Sequence, residues 1–348
     1  MKEDIFGLYN KCNLCPRRCG VSRNLGAADG GGDLGFCGES SELRLGCASI
    51  HKGEEPMVTG KGGSGTIFVS GCNLRCVFCQ NYQISQNYIS EQASAGRAAA
   101  TSASADNVPL GRAVNTEEFT QICLALEAEG AENINIVTGS HAVPAIAAGL
   151  DAARAGGLKI PALWNTSSYE TPETLEILRN RIQMFLPDLK TLDSDVSGRF
   201  YNAPDYPQAA TAAIFKMIEL NETASLRGIE GVIIRHLVLP GFLESSRCVL
   251  QWFADNAKGR AMLAVMTQYT PVRAHMRGSS VKIKIPSRYV SQAEYETVLG
   301  WCEEFGIEDG YCQELVTGSS WLPDFNRLNP FSSRLSKPVW HWRTGFST

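Results

Sequence analysis

The chain has 348 residues, of which 44% are hydrophobic, so it is long enough for one large globular domain with appendages or for two domains. Its net charge of −4 and its lack of long basic runs argue against a nucleic-acid partner. No stretch approaches the roughly 20 apolar residues of a membrane span, and the N-terminus lacks the apolar region of a signal peptide. With twelve cysteines, the chain is expected in the reducing cytoplasm, where thiols bind metals rather than form disulfides.

Residues 1–60 are predicted to form a cysteine-rich N-terminal extension. Cys12, Cys15 and Cys19 lie close together in the chain, and Cys37 follows a glycine-rich stretch. The segment has too little periodic apolar sequence to bury a core of its own, so a bound metal is expected to hold it together. Thiols that close such a loop indicate either an iron–sulfur cluster or a structural zinc ion.

A second group of cysteines follows the first predicted strand. The apolar run at 66–70 predicts this strand, and Cys72, Cys76 and Cys79 come directly after it, separated by three and then two residues. Thiolates at this spacing surround a single soft-metal centre, either iron–sulfur or zinc. No fourth cysteine follows nearby in the sequence, so one coordination position stays open, which favours chemistry over a structural role.

Helical and strand patterns alternate over the rest of the chain. A stretch rich in Ala, Ser and Gly at 93–105 predicts a surface loop or a tolerated insertion. A capped helix begins at 116, and one further helix near 291–305 precedes a loop-rich tail. Between them, the predicted strands cover 133–137, 160–164, 184–189, 232–239 and 262–268, and the predicted helices cover 143–155, 173–180, 208–220 and 246–256. With the strand at 66–70, six strands alternate with helices, which predicts parallel βαβ units, fewer than a closed barrel has.

Polar and glycine residues stand where the predicted strands end, and active sites of parallel barrels collect at those carboxyl ends. The candidate site residues there are Gly139, Asn165, Ser167, Asp188, Lys190 and Arg235. Asp188 and Lys190 alternate along an extended strand and so share one face, whereas Arg235 is a charge within an apolar strand and needs a partner. Ordinary βα turns, helix caps and a solvated ion pair explain the same residues without a ligand. His236 faces away from Arg235, and a satisfied core histidine is the favoured interpretation.

The spacing of Cys72, Cys76 and Cys79, with Phe78 before the last cysteine, resembles the motif of the radical S-adenosylmethionine (SAM) superfamily. In that family, three cysteines hold three irons of a 4Fe–4S cluster, and the fourth iron takes the amino and carboxylate groups of SAM. The reduced cluster cleaves SAM to a 5′-deoxyadenosyl radical, which abstracts a hydrogen atom. The resemblance implies a partial (βα)6 TIM-like radical SAM barrel over 61–285, which agrees with the six predicted strands. Residues 1–60 are then a Cys-rich N-terminal extension, and residues 286–348 a loop-rich C-terminal extension.

The resemblance also implies SAM contacts at the strand ends. The Gly-Gly-Glu-like motif of the family, which meets the SAM amino group, corresponds here to Thr-Gly-Ser at 138–140. The acid is absent, so only the backbone contact at Gly139 carries over. Asn165 and Ser167 stand where the family places side chains that hydrogen-bond the SAM ribose or carboxylate.

The fourth and fifth strands supply the predicted charged residues. Asp188 and Lys190 resemble the Asp-x-Lys motif of pyruvate formate-lyase-activating enzymes, where a cation near the SAM carboxylate makes electrostatic sense and the aspartate would hold the lysine. Arg235 is a candidate for the barrel interior on the SAM side. Lys190 and Arg235 are therefore the predicted catalytic residues.

The cysteine pattern from 12 to 37, followed by the SAM-type motif and by Gln-Tyr-x-Pro at 268–271, resembles one branch of the superfamily: uncharacterised proteins similar to pyruvate formate-lyase-activating enzymes. This implies reductive cleavage of SAM, with the electron supplied by a reductant such as flavodoxin or ferredoxin. The hydrogen would come from a partner glycyl-radical enzyme, or from a peptide or small molecule. A non-catalytic iron–sulfur or zinc protein is the alternative. At the N-terminal cysteines, a second 4Fe–4S cluster is favoured over zinc because the chain already acquires one cluster.

Overall fold

The computed structural model describes residues 4–24, 34–86, 110–223, 231–272, 284–319, 321–332 and 334–347. The low-complexity stretch at 93–105 lies outside these residues, so its predicted character stays a prediction. None of the helices in the described ranges combines the length and the apolar character that a membrane span requires.

Eleven strands occur in the described ranges, and all belong to one sheet. In chain order they are β1 (Leu43–His51), β2 (Ser64–Val69), β3 (Arg112–Val114), β4 (Ile134–Val137), β5 (Ala162–Thr166), β6 (Met184–Pro187), β7 (Gly231–Leu237), β8 (Met262–Met266), β9 (Gly310–Cys312), β10 (Ser336–His341) and β11 (Gly345–Phe346). The sheet order is β11-β10-β1-β2-β4-β5-β6-β7-β8-β9, and β3 pairs with β1.

Four of the α-helices in the described ranges begin where a side chain accepts a hydrogen bond from a free backbone amide. Asn115 accepts from Glu118 N at 2.8 Å, and Ser291 forms a reciprocal capping box with Glu294. In chain order the α-helices are α1 (Pro56–Thr59), α2 (Tyr82–Ser85), α3 (Thr116–Ala128), α4 (Val143–Ala155), α5 (Pro172–Glu176), α6 (Ser194–Tyr201), α7 (Tyr206–Glu222), α8 (Leu243–Asn256) and α9 (Gln292–Glu304). Short 3₁₀ helices cover Ile5–Tyr9 and Ser140–Ala142.

The centre of the sheet is a parallel run of strands. β2, β4, β5, β6, β7, β8 and β9 pair in that order, and each pair is parallel. The first six of these strands are the six predicted from the sequence, with helices between them, and β9 adds a short one after α9. Within the described ranges the outer strands β9 and β11 do not pair, so the sheet stays open. The prediction of an α/β fold with a partial (βα)6 barrel is confirmed.

Both ends of the chain contribute strands that the sequence analysis did not predict. β1 lies inside the segment 1–60 and pairs antiparallel with β2, while β10 pairs with β1 and β11 with β10. β1 is buried along almost its whole length, on both faces, so it lacks the alternation of apolar and polar residues that marks a half-exposed strand. The α-helix α6 was missed as well, and α5 ends at Glu176, earlier than predicted.

The two faces of the parallel strands are packed differently. The outer face meets the helices in the main core, whereas a small apolar cluster joins Val58 of α1 to side chains of β5, β6, β7 and β8. His236 of β7 belongs to the outer packing. Its Nδ1 lies 2.8 Å from the carbonyl oxygen of Leu189, and its Nε2 lies 2.9 Å from Ser246 Oγ. The prediction of a satisfied core histidine is confirmed.

Candidate active site at the carboxyl ends of the strands

The loop that follows β2, residues 71–80, is called the thiol loop here because it carries Cys72, Cys76 and Cys79. It begins at Gly71, whose φ of 82° lies in the left-handed region. A Cβ at Gly71 would lie 2.3 Å from Cγ of Glu39. The chain therefore turns sharply against Glu39, and the turn delivers the thiols beyond the carboxyl end of β2.

The three thiols of this loop share one electrostatic environment. Burial raises the pKa of Cys72 to about 12, and it raises the pKa of Cys76 and of Cys79 as well. The charge of Lys190 opposes the shift at every one of the three thiols, and the negative charges of neighbouring thiolates add to it at Cys72 and Cys76. Leu74 N also donates to Cys72 Sγ at 3.4 Å. All three thiols are therefore influenced by the charge of one ammonium group, that of Lys190.

The short helix α2 supports the thiol loop from behind. Its Ser85 hydroxyl lies 3.2 Å from Cys79 Sγ, and Gln86 Nε2 donates to the carbonyl oxygen of Cys76 at 2.8 Å. The carbonyl of Ile84 accepts from the amide of Gly71 at 2.9 Å. These bonds hold Gly71, Cys76 and Cys79 of the loop against α2 and the residue that follows it.

Phe78 explains why an aromatic residue precedes the last cysteine. Its ring makes edge contacts with Phe200, Tyr201 and Tyr269 at centroid distances of 5.8, 5.9 and 5.2 Å. These partners come from α6 and from the segment after β8. The aromatic contacts anchor the loop across the mouth of the barrel.

Asp188 and Lys190 follow β6 and form an ion pair. Tyr206 fixes the backbone around them, because its hydroxyl donates to the carbonyl oxygen of Asp188 at 2.8 Å and accepts from Lys190 N at 3.0 Å. Burial alone would lower the pKa of Lys190, but Asp188 and the thiol of Cys76 raise it well above its usual value. Lys190 is therefore a firmly charged group that faces the thiols.

Gly139 lies in the turn after β4. The preceding Thr138 has φ of 62°, and a Cβ at Gly139 would lie 2.6 Å from the ring of Trp164. Close packing against Trp164 therefore explains the glycine without reference to a ligand, and it leaves the backbone contact open.

A residue of this region that sequence reasoning missed is Glu170, which follows β5. Its Oε1 accepts from Ser140 Oγ at 2.7 Å, Trp164 Nε1 at 2.8 Å and Thr166 Oγ1 at 2.8 Å. Burial raises the pKa of Glu170 above its usual range. It cross-links the turn after β4 to the end of β5, and the sequence holds no pattern that pairs it with Ser140.

Asn165 and Ser167 lie at the end of β5. The carbonyl oxygen of Asn165 accepts from Thr138 N at 2.9 Å, which joins this strand end to the turn that contains Gly139. The buried hydroxyl of Ser167 has no hydrogen-bond partner within the described ranges. Because buried hydroxyls rarely lack a partner, Ser167 Oγ is available to a bound molecule.

Arg235 of β7 meets two carboxylates that sequence reasoning did not find. Its Nε donates to Glu55 Oε1 at 2.9 Å, its NH2 donates to Glu54 Oε2 at 2.6 Å, and Glu55 makes a second ion-pair contact. Burial would lower the pKa of Arg235, but Glu54 and Glu55 raise it far more. Its backbone carbonyl accepts from Leu189 N at 2.8 Å, next to Asp188. The guanidinium of Arg235 thus binds the carboxylates at the start of α1, and its backbone carbonyl is hydrogen-bonded beside Asp188.

The N-terminal cysteines lie together in a separate group beside the thiol loop. Cys12 and Cys15 are buried, and Cys19 and Cys37 are partly buried. The charge of Cys37 also contributes to the raised pKa of Cys72.

Neither group of thiols has the spacing of a single-ion site. Within the described ranges, no three His, Cys, Asp or Glu side chains are placed to hold one metal ion. A zinc ion needs all its thiolates at about 2.3 Å from one point. In a 4Fe–4S cluster each thiolate binds a different iron, so the sulfurs stand farther apart.

The sequence model of the radical SAM superfamily matches residues 66–249, which is more than half of the chain. The chain belongs to the radical SAM superfamily. It is a radical SAM enzyme, and membership implies iron–sulfur, metal and SAM binding together with a need for a reductant. The matched range begins in β2 and contains the thiol loop and the ends of β4, β5, β6 and β7.

Individual proteins are also similar to this radical SAM chain. An uncharacterised protein of Methanocaldococcus jannaschii, MJ0674, is 28% identical over 306 residues, which cover 88% of this chain and 78% of that protein. Among solved structures, SuiB of Streptococcus suis bound to SAM has a TM-score of 0.45 and 17% identity, over 70% of this chain and 48% of SuiB. Methylornithine synthase (PylB) has a TM-score of 0.43 and 13% identity, over 78% of this chain and 73% of its own.

A domain of a pyruvate formate-lyase-activating enzyme from Bacteroides vulgatus has a TM-score of 0.32 and 14% identity, over 47% of this chain and 86% of that domain.

The residues present fit the cofactors of the superfamily. Three thiols of one loop lie beyond β2, and the partly buried ammonium of Lys190 acts on all three. Ser167 adds a buried hydroxyl without a partner in the described ranges. Thiolate ligands and a cationic group are the chemistry that an anionic cluster and the SAM carboxylate require.

Proposed function

We propose that this protein cleaves SAM reductively at the thiol loop and uses the resulting 5′-deoxyadenosyl radical to abstract a hydrogen atom. Cys72, Cys76 and Cys79 would hold three irons of a 4Fe–4S cluster, and SAM would occupy the fourth. The single observation that carries the proposal is that three thiols of one loop beyond β2 are all influenced by the ammonium of Lys190. When bound, the cluster supplies the electron for the cleavage, and the protein supplies orientation and charge.

Lys190 is proposed to bind the SAM carboxylate, with Asp188 holding its ammonium in place. A partly buried cation attracts a carboxylate more strongly than a fully exposed one because less water screens it. Tyr206 fixes the backbone of both residues, so the ammonium has little freedom to move away.

Three further residues are proposed to complete the SAM site. The backbone at Gly139 would meet the amino group, and Asn165 and Ser167 would hydrogen-bond the ribose or the carboxylate. The bond from Thr138 N to the Asn165 carbonyl supports this grouping, because it ties the two strand ends together.

Arg235 is proposed as a positioning residue rather than one that touches SAM. Its guanidinium is occupied by Glu54 and Glu55, and its carbonyl oxygen accepts the amide of Leu189. Through these contacts it fixes the end of β6, from which Asp188 and Lys190 project.

The proposed hydrogen donor is a glycine of a partner glycyl-radical enzyme. The resemblance of the cysteine pattern and of Asp188-x-Lys190 to activating enzymes supports this choice. A flavodoxin or ferredoxin in a reducing cytoplasm would supply the electron. A peptide or small-molecule substrate is the outcome to expect if no glycyl radical forms in any glycyl-radical enzyme offered as partner.

Anaerobic turnover of the reconstituted protein tests the proposal. After loading with iron and sulfide, dithionite and SAM should yield 5′-deoxyadenosine. Cys76→Ala should abolish the product, whereas Cys248→Ser, which removes an exposed thiol on α8, should leave it unchanged. Absence of 5′-deoxyadenosine from a protein whose cluster is present and reduced would overturn the proposal.

A further inference from the structure

The four N-terminal cysteines converge although they come from two separate segments. A Cβ placed at Gly35 would lie 3.6 Å from Cys19 Sγ and 3.6 Å from Cys37 Sγ, so these two sulfurs flank the same point of the backbone. Cys12 and Cys37 both act on the pKa of Cys15, and Cys12 acts on that of Cys37. Four thiols thus surround one small region on the N-terminal side of the thiol loop.

Arg23 lies in the same region, and its guanidinium donates no hydrogen bond to a carboxylate of the described residues. Arg23 is only 1% exposed, and the carboxylate of Glu39 pairs instead with Arg44 at 3.6 Å. Its hydrogen bonds go to the carbonyl oxygens of Glu39 at 2.9 Å, His141 at 2.7 Å and Ser40 at 2.6 Å, and to Cys12 Sγ at 3.7 Å, and it stacks over the ring of Tyr9 at 4.9 Å. A buried guanidinium is costly without a compensating negative charge, so a further anionic group bound beside Arg23 would stabilise it.

We propose that Cys12, Cys15, Cys19 and Cys37 hold a second iron–sulfur cluster, with Arg23 as its counter-charge. Four thiolates around a 4Fe–4S core carry the net negative charge that Arg23 requires. The backbone amide of Phe36 donates to Cys19 Sγ at 3.3 Å, and such bonds to sulfur stabilise a bound cluster. An iron–sulfur cluster is favoured over a single zinc ion because the chain already acquires one cluster at the thiol loop.

The residues between these cysteines also contact the thiol loop. Arg17 Nε donates to the carbonyl oxygen of Asn73 at 3.0 Å, and Arg75 donates to the carbonyl oxygen of Phe36 at 3.2 Å. The ring of Phe36 lies between the two guanidinium groups, at 3.8 Å from Arg17 and 4.1 Å from Arg75. The segment that encloses the second cluster therefore forms one wall of the first site.

Metal analysis of a full-length variant with Cys72, Cys76 and Cys79 all replaced by alanine isolates the second site. After anaerobic reconstitution with iron and sulfide, this variant should keep about four irons per chain, against about eight in the parent protein. Mössbauer spectra should show a cluster. Further replacement of Cys15 and Cys37 by alanine should remove the remaining iron, whereas Cys248→Ser should not.

Two outcomes would overturn the proposal: a triple variant that binds no iron, or one that binds zinc in a single equivalent and excludes iron. The parent protein gives a second measurement if the triple variant does not fold, since about four irons rather than about eight would contradict a second cluster. Neither measurement involves SAM cleavage, so failure here is distinct from failure of the proposed function.

A substitution that removes the charge of Arg23 tests its role as counter-charge to the second cluster. In the triple-alanine background, Arg23→Met should lower the midpoint potential of the remaining cluster, because the reduced form loses a nearby positive charge. Arg23→Lys, which keeps the charge, should stay near the parent value. EPR-monitored redox titration reads both, with circular dichroism to verify folding. An unchanged potential in Arg23→Met would refute the counter-charge.

Discussion

Lys190 is the charged residue that acts on the whole thiol loop, because its ammonium opposes the rise that burial causes in the pKa of all three loop thiols. Asp188 pairs with it, and Tyr206 fixes its backbone. Arg235, which the sequence presents as an equivalent cation, is neutralised by Glu54 and Glu55. The two predicted catalytic residues therefore differ: Lys190 has one carboxylate partner and acts on the thiols, whereas Arg235 is paired with two carboxylates.

Replacing Lys190 by methionine should weaken SAM binding by about tenfold to a hundredfold, since a hydrogen bond to a charged group contributes about 1.5–3 kcal/mol. Equilibrium dialysis with the reconstituted protein measures this. Lys190→Arg keeps the charge and should bind SAM much closer to the parent protein. Equal affinity of the methionine variant and the parent would remove Lys190 from the SAM site.

Glu170 gives a prediction about pH. Its folded pKa lies above the unfolded value, so the folded state keeps a proton that the unfolded state loses above about pH 4.3. The stability of the parent protein should therefore fall, relative to Glu170→Gln, as pH rises from this value toward the folded pKa. The difference should grow by about 1.4 kcal/mol for each unit by which the pKa is raised. Urea denaturation of both proteins at pH 5 and pH 8 tests it, and a difference independent of pH would contradict it.

At the level of elements, α2 is small but has a large effect on the thiol loop. It supplies Ser85 to Cys79, Gln86 to the Cys76 carbonyl and the Ile84 carbonyl to Gly71. A helix of one turn has little stability of its own, so its position depends on the packing around it.

Removing the Ser85 hydroxyl should lower the midpoint potential of the cluster at the thiol loop. A hydrogen bond to a cluster sulfur stabilises the reduced form, which carries more negative charge. The comparison is between Ser85→Ala and Ser85→Thr, followed by EPR-monitored redox titration. The threonine variant, which keeps a hydroxyl, should resemble the parent, and identical potentials for both variants would argue against the bond.

The elements that the sequence predicts well are those with a clear pattern. The six parallel strands and the cysteine spacing follow from local signals, since each strand is a short apolar run and the cysteines stand close together. β1 could not be predicted because Arg44, Gly46 and Ser49 interrupt its apolar sequence, and β10 could not because its partner lies almost the whole chain away. Glu54 and Glu55 escaped notice for the same reason: their partner Arg235 is some 180 residues distant.

At the level of the whole molecule, the C-terminal segment packs against the barrel. Phe325 is fully buried and meets Phe68 of β2 at a centroid distance of 5.5 Å, and its amide donates to Gln83 Oε1 at 2.7 Å. Asp324 accepts from Gln83 Nε2 at 3.0 Å. The tail therefore reaches α2, and through α2 it reaches the thiol loop.

Phe325→Ala should destabilise the protein by about 3–5 kcal/mol, as expected for a large side chain removed from a packed core. It should also reduce the iron retained at the thiol loop, because Gln83 loses part of its support. Phe346→Ala is the matched control, since Phe346 is 39% exposed. Chemical denaturation and iron analysis measure both variants. Equal stabilities of the two variants would show that packing of Phe325 does not contribute to the stability of the protein.

The thiol loop is fastened from both ends of the chain. Arg17 holds it at Asn73, and Asp324 holds α2 behind it at Gln83. During synthesis, the N-terminal fastening can form early, but Asp324 leaves the ribosome only after the whole barrel has been made. The site for the cluster is therefore unfinished until residue 324 has been synthesised. Iron and sulfide are accordingly expected to enter the site after the barrel has been synthesised, and not while its first strands emerge.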